Sequence, residues 1–361
     1  MRKRVTSTDV ARRAGVSRSL VSAYLNNTPG ISVSEENRAA IVSAIRELNY
    51  TVNVQAKSIK TGRSQCIAVY GDVYNALLLQ LVEGISQESG PAGYHVLMYG
   101  GGCNLEAREG LISLYREGRI DGIITLDFPD PLKPQWEQSV LECGVPYVSV
   151  EGMPGAAGIS SVGTDYGSSM EEALEFLWER TGAAPLYLNV LPAGRTPTAG
   201  DRERVRAYRD WMKERTLEPQ VLDILEQAWD SRESWWREWL DRQPKPLVIL
   251  SNWSRGAVFL YRLAYEQGLR IGADLFVMSG DDTERISRHM VPPIPCVEVP
   301  YVDMGRRAFK LLEELLQLPG GAGGPRGPVP DGQEPDGAEA QQEMKPARKE
   351  IVPCKLFRAL K

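Results

Sequence analysis

The apolar positions of the first fifty residues fall at helical spacing. Val10 and Ala14 recur at i, i+4, Val21 and Leu25 do the same, and Ile41, Ile45 and Leu48 form a third stripe. Capping and breaking residues separate these stripes. Thr6-Ser7-Thr8-Asp9 opens the first helix, Gly15 stops it, Ser17 caps a second over residues 18–26, and Ser32 or Ser34 caps the third. The second helix turns Arg18, Ser19, Ser22, Ala23 and Asn26 outward. Two short helices joined by a glycine-containing turn, the second polar on its outer face, predict a helix-turn-helix head that lays a recognition helix in the major groove.

Beyond residue 66 the pattern changes. Strand-like runs at 67–70, 94–99, 122–126 and 146–150 alternate with helical ones near 75–88, 105–117 and up to 143. A second series follows, with strands at 186–191, 247–250 and 275–279, helices at 202–215, 232–240, 255–267 and 304–318, and a terminal strand near 351–357. Alternation of this kind predicts parallel sheets covered by helices, and two series predict two lobes with a ligand cleft at the carboxyl ends of the strands. The expected fold is an all-α helix-turn-helix head plus an α/β two-lobed core. Residues 319–337 hold 7 Gly and 5 Pro, and a polar stretch continues to Lys349. That composition cannot bury a core and predicts a disordered insertion over 319–349.

Charge sharpens the division. Residues 1–63 carry 11 Lys/Arg against 4 Asp/Glu, a charge of +7, whereas the remaining 298 carry 31 against 43, or −12. A small basic head on an acidic body suggests a polyanion bound by the head alone. The expected domains are 1–52 for the head, 53–63 for a hinge or linker, and 64–361 for an effector-binding and dimerisation core. The chain is 361 residues long, 42% hydrophobic and 25% charged, an ordinary globular composition. No apolar run approaches the ~18 residues of a membrane span. Met1-Arg2-Lys3-Arg4 leads into Thr, Ser and Asp rather than an apolar segment. The five cysteines (Cys66, Cys103, Cys143, Cys296, Cys354) are scattered and never spaced as C-x-x-C, so neither a disulfide framework nor a zinc site is expected. A cytoplasmic protein without metal or cofactor fits these features.

At this point a family resemblance becomes visible. The run Val5-Thr6-Ser7-Thr8-Asp9-Val10-Ala11-Arg12-Arg13-Ala14-Gly15-Val16-Ser17, then Val21-Ser22, Leu25-Asn26, Arg38, Leu48-Asn49-Tyr50 and Asn53, closely resembles the DNA-binding head of the lactose/galactose repressor (LacI/GalR) family. Two departures stand out: the turn over 27–33 is two residues longer than the commonest form, and Val52 replaces the usual proline. Groove chemistry and the resemblance together assign Arg18 and Ser19 to base edges, since arginine can pair bidentately with guanine. Ala23 offers only an apolar contact, for example to a thymine methyl. Thr6, Ser17, Ser22 and Asn26 are expected on phosphates, although Ser17 also reads as a plain helix cap. The resemblance further implies that residues 53–63 become helical when two copies meet in the minor groove. Asn53, Ala56 and Lys57 then contact DNA, and Ile59 is either the wedge that bends the duplex or an ordinary linker isoleucine.

For the core, the resemblance extends to the type I periplasmic binding-protein-like fold that the family uses as a sensor. Gly268-Leu269-Arg270-Ile271-Gly272-Ala273-Asp274 followed by Gly280-Asp281-Asp282 carries it. It implies that Asp281 and Arg204 bind effector, with Arg202 and Arg206 as neighbouring alternatives. Trp229 would stack on the ligand, Asn75 and Leu77 would line the opposite wall, and Asp165 and Tyr166 are weaker candidates. Ser251-Asn252-Trp253-Ser254 puts Trp253 where the family's ligand asparagine stands. The expected function is a homodimeric transcriptional regulator, a repressor by default. It binds a near-palindromic double-stranded operator and responds to a small ligand, with sugar as the default class. An enzyme or a ligand carrier on the same two-lobed body is the competing reading. The enzyme lacks any suggested nucleophile and base pairing, the two histidines being His95 and His289, and the carrier needs no DNA-binding head.

Overall fold

The computed structural model describes residues 5–26, 30–51, 62–100, 105–127, 133–152, 158–191, 197–226, 233–318 and 347–359. The chain divides into two compact units, Met1–Ser64 and Gln65–Lys361.

In the first unit, α1 (Ser7–Ala14) begins at a reciprocal capping box between Thr6 and Asp9 and ends at Gly15, whose φ of 70° is the left-handed turn that glycine adopts at least cost. Ser17 Oγ accepts the Leu20 N–H at 3.2 Å and so caps α2 (Arg18–Asn26). Of the two candidate caps for α3 (Glu35–Glu47), Ser34 is the one used. Val10, Ala11, Val21, Ile41 and Ala44 form the buried centre, with Ala14, Leu25, Ile45 and Leu48 packed around it.

The second unit is built of two six-stranded sheets. Lobe one contains β1 (Cys66–Gly71), α4 (Ala76–Ser89), β2 (His95–Gly100), α5 (Leu105–Arg116), β3 (Gly122–Leu126), α6 (Lys133–Cys143), β4 (Tyr147–Val150) and β5 (Ser160–Gly163). Lobe two contains α7 (Tyr166–Thr181), β6 (Leu186–Leu191), α8 (Ala199–Glu214), β7 (Val221–Leu225), α9 (Glu233–Arg242), β8 (Leu247–Ser251), α10 (Ser254–Glu266), β9 (Leu275–Ser279) and β10 (Cys296–Glu298). The chain then returns to lobe one as α11 (Tyr301–Leu316) and β11 (Lys349–Ile351), and crosses once more to lobe two as β12 (Lys355–Phe357). Strand orders are β11-β5-β4-β3-β1-β2 and β12-β10-β9-β8-β6-β7, all pairs parallel except β10 with β12. Central strands such as β3 are buried at every position, as strands covered on both faces must be.

The structure differs from expectation at several elements. Strands β5, β7 and β10 and the long helix α7 were not anticipated. The single terminal strand expected over 351–357 is two strands in two different sheets, because Pro353 lacks the N–H a ladder needs and the chain changes lobe there. Helices α4 and α11 approach closely. A Cβ on Gly84 would stand 1.9 Å from the Val302 carbonyl oxygen, and one on Gly305 would stand 2.2 Å from that of Leu81.

Candidate DNA interface and effector site

On the head, Arg18 and Ser19 are exposed at the first turn of α2, where side chains at a helix N-terminus can reach a groove. Thr6 and Ser17 sit at the N-termini of α1 and α2 as caps, and Ser17 Oγ also lies 2.9 Å from Ser19 Oγ. Ser22 is half-buried. Ala23 corrects the sequence reading: at 6% exposure it is part of the packed interior, not the outward face, so little of its methyl is open to a base. Asn26 ends the helix. Asn53, Ala56, Lys57 and Ile59 lie outside the described residues, as does Trp229 of the core.

The polar groups of the core converge where the chain crosses between lobes. Arg204, on the inner face of α8, is 5% exposed. Its guanidinium lies 4.1 Å over the Tyr166 ring, and Nη1 donates to Asp201 Oδ1 at 3.3 Å. Burial opposes the guanidinium charge, but the facing Tyr166, Asp201, Asp281 and Tyr187 outweigh it and raise the pKa above the ordinary arginine value. Tyr166 Oη is 3.3 Å from Tyr301 Oη, so the first residues of α7 and α11, each just past a lobe crossing, meet here. Arg202 is exposed and Nη1 donates to the Pro197 carbonyl; Arg206 is exposed and pairs with Glu203. The two-residue alternatives to Arg204 therefore point away.

Asp281 follows β9. Oδ1 accepts the Ser254 N–H at 2.6 Å, which caps α10, and Oδ2 accepts from Thr283 Oγ1 at 2.5 Å. Burial pushes this carboxyl up, with Arg204, Thr283 and Ser254 opposing. Trp253 is half-buried at the start of α10 and donates Nε1–H to Asp201 Oδ1 at 3.2 Å. Asn252 instead exchanges hydrogen bonds with the Val190 backbone of β6 (2.8 and 2.9 Å) at no exposure, so the register shift noticed in the sequence places tryptophan, not asparagine, at the junction. Asn75 caps α4 through Oδ1 to the Leu77 N–H (3.0 Å), Leu77 packs half-buried on the lobe-one core, and Asp165 caps α7.

The sequence reading missed three groups here. Glu151, just after β4, has φ 61°, a conformation that non-glycine residues seldom adopt. Its Oε1 is buried with no hydrogen-bond partner, and burial pushes the carboxyl up to about 7 against the relief given by Tyr166 and Arg204. Tyr187 Oη and Ser254 Oγ are likewise buried without partners, as is Arg204 Nε. Buried polar atoms are ordinarily satisfied, so these four atoms, one of them on the Arg204 guanidinium itself, mark groups that a ligand can complete. No motif flags Glu151, Tyr187 or Ser254, because they come from three separate elements. Surface hollows of about 520 Å³ and 430 Å³ lie elsewhere in lobe two, beside Phe259 and Arg262 and between Glu175, Trp211 and Arg215. Asp282, Cys296 and Glu298 bring ligand atoms within 4.8 Å of one another, but Asp282 already accepts from Ser287 and Glu298 from Arg288.

A helix-turn-helix head followed by a two-lobed α/β core with an incompletely satisfied polar junction defines a ligand-responsive DNA-binding regulator as a class. Comparison with known proteins agrees. Residues 6–53 match the model of bacterial regulatory proteins, lacI family, and residues 178–331 match the periplasmic binding protein-like domain. The HTH-type transcriptional repressor PurR of Escherichia coli O139:H28 is 25% identical over 319 residues, covering 86% of this chain and 90% of that protein. Among solved structures, the Lac repressor bound to ONPG in its repressed state aligns with TM-score 0.73 at 21% identity over 99% of both chains. A complex of the transcriptional regulator CelR with cellobiose aligns with TM-score 0.61 at 22% identity over 98% of this chain and 99% of that one. The head thus matches the lacI family of bacterial regulatory proteins and the core the periplasmic binding protein-like domain, which makes the chain a DNA-binding transcriptional regulator with a ligand-binding core.

Proposed function

We propose that this repressor binds a near-palindromic operator as a homodimer and that a sugar held at the lobe junction sets its affinity for DNA. The observation that carries the effector assignment is the set of buried, unpartnered polar atoms on Glu151, Tyr187, Arg204 and Ser254. Hydroxyl groups, which both donate and accept, are suited to complete such a mixed set. Asp281, Trp253, Asn75 and Leu77 stand as the remaining wall residues, with Trp229 joining them by resemblance. The solved relative that holds cellobiose supports the sugar class. Arg18 and Ser19 read bases, Thr6, Ser17, Ser22 and Asn26 hold phosphates, and Asn53, Ala56, Lys57 and Ile59 act in the minor groove. The homodimer is supported by exposed apolar side chains on lobe one, where Leu97 and Met98 lie on the edge strand β2 and Val73 abuts its last residue, Gly100.

The deciding experiment maps the sites bound across the genome and then titrates one of them in gel shifts against a panel of sugars. A palindromic consensus whose occupancy one sugar changes at least tenfold is the expected result. Site-independent binding, or occupancy indifferent to every sugar, would overturn the reading.

A further inference from the structure

Asp201 precedes Arg204 by one helical turn and was not a candidate from sequence. It is 4% exposed, and both carboxylate oxygens are in use. Oδ2 accepts from the Thr198 backbone N–H (3.0 Å) and from Thr198 Oγ1 (2.7 Å), which completes the capping box of α8. Oδ1 accepts from Trp253 Nε1 (3.2 Å) and Arg204 Nη1 (3.3 Å). One carboxylate therefore fixes the start of α8, the indole that occupies the wall, and the guanidinium at the centre.

The same contact decides charge. Arg204 favours the charged forms of Glu151, Asp281 and Tyr301. Asp201 neutralises it at ion-pair distance with both side chains buried, at 7% and 5% exposure. An anion entering the junction would meet a guanidinium already paired, with Glu151 and Asp281 close by, and a buried charge without a counter-ion is strongly disfavoured. A neutral hydroxyl meets Arg204 Nε as a donor and Glu151 Oε1 as an acceptor, both without partners.

We propose that Asp201 is the positioning and specificity-determining residue of the effector site: by pairing with Arg204 and holding Trp253, it makes the junction select uncharged polyhydroxylated ligands and reject their carboxylated or phosphorylated counterparts. The inference rests on the lobe junction being the effector site. It is tested by calorimetry on the full-length protein with matched probes, namely glucose, galactose, maltose and cellobiose against the 6-phosphates and aldonic acids of the same sugars. Wild type should bind a neutral member at least tenfold more tightly than its anionic counterparts. Asp201→Asn should narrow or reverse that ratio at low salt, a change in selectivity that a merely structural role would not produce. Trp253→Phe, which removes the indole donor and part of the ring but leaves the Asp201–Arg204 pair, should weaken neutral binding without any gain for anions. An anion preferred by wild type overturns the proposal while leaving the site assignment standing, and this arm holds even if Asp201→Asn fails to fold. An unchanged ratio in folded Asp201→Asn overturns it equally. No binding by any member overturns the sugar reading and the selection together.

Discussion

Glu151 is the residue at which the protein's stability should respond to pH near neutrality. Its carboxyl titrates near 4.5 when unfolded and at about 7 when folded, so the folded state holds the proton more tightly. Below about pH 4.5 both states are protonated and the residue costs nothing. As pH rises from there to 7 the folded state loses stability relative to the unfolded, by at most on the order of 3 kcal/mol. Glu151→Gln should therefore be more stable than wild type at pH 8 and equal to it at pH 4; urea midpoints at the two pH values check this, and a parallel offset at both would refute it. Arg18→Ala should cost ~1 to 3 kcal/mol at one base pair of each half-site and relax preference there. A loss spread evenly over all operator variants would make Arg18 a phosphate contact. At this scale the sequence was informative where a motif brackets the residue, as Gly280-Asp281-Asp282 brackets Asp281, and where spacing singles out Arg204. It was silent on Glu151 and Tyr187, whose roles arise when unrelated strands end side by side. For Asp201, the Thr198-x-x-Asp201 cap was readable, but its bonds to Arg204 and Trp253 depend on the fold.

Helix α4 meets α11 through bare backbone, and that contact joins the first helix of lobe one to the helix that returns from lobe two. Gly84→Ala should cost at least about 3 kcal/mol, at the upper end for overpacking, because the obstructing atom is a main-chain carbonyl that cannot rotate aside. Gly163→Ala in β5 meets nothing within 4 Å at an ordinary φ and should be near neutral. Equal urea midpoints for the two variants would show the helix contact to be looser than described. Most elements were legible because period and caps agreed: Val21 with Leu25, or the apolar block of β3. The spacing of Met170, Ala173, Leu174 and Leu177 behind the cap Asp165 carries the same signal for α7. Strand β5 reads Ser-Ser-Val-Gly, and its burial comes from neighbours in the sheet, not from its own hydrophobicity. Strand β11 is short and mostly exposed, so only the lobe crossing at Pro353 explains why the terminal run divides.

Over the whole chain, a head of +7 and a remainder of −12 lead to the expectation that the first 63 residues dominate DNA affinity. Binding should weaken steeply with salt as Lys/Arg contacts release counterions, and truncation of residues 1–63 should abolish it; salt-independent affinity in gel shifts would contradict this. The core is threaded between its lobes three times, after β5, after β10 and after β11. Val352, Pro353 and Cys354 alone span the last crossing, and Thr164 Oγ1 on the first donates to the Val352 carbonyl at 2.6 Å. Three residues reach at most about 3.6 Å each, so this edge can bend but cannot part unless a strand unzips. The motion left to the lobes is that of a lever with its fulcrum at a tied corner: displacement grows with distance from residues 352–354, and a sub-ångström change beside Tyr166 becomes a large one at the far rim. Pairs of spin labels placed progressively farther from that corner should report ligand-induced distance changes that rise in proportion, and two glycines inserted after Pro353 should flatten that gradient.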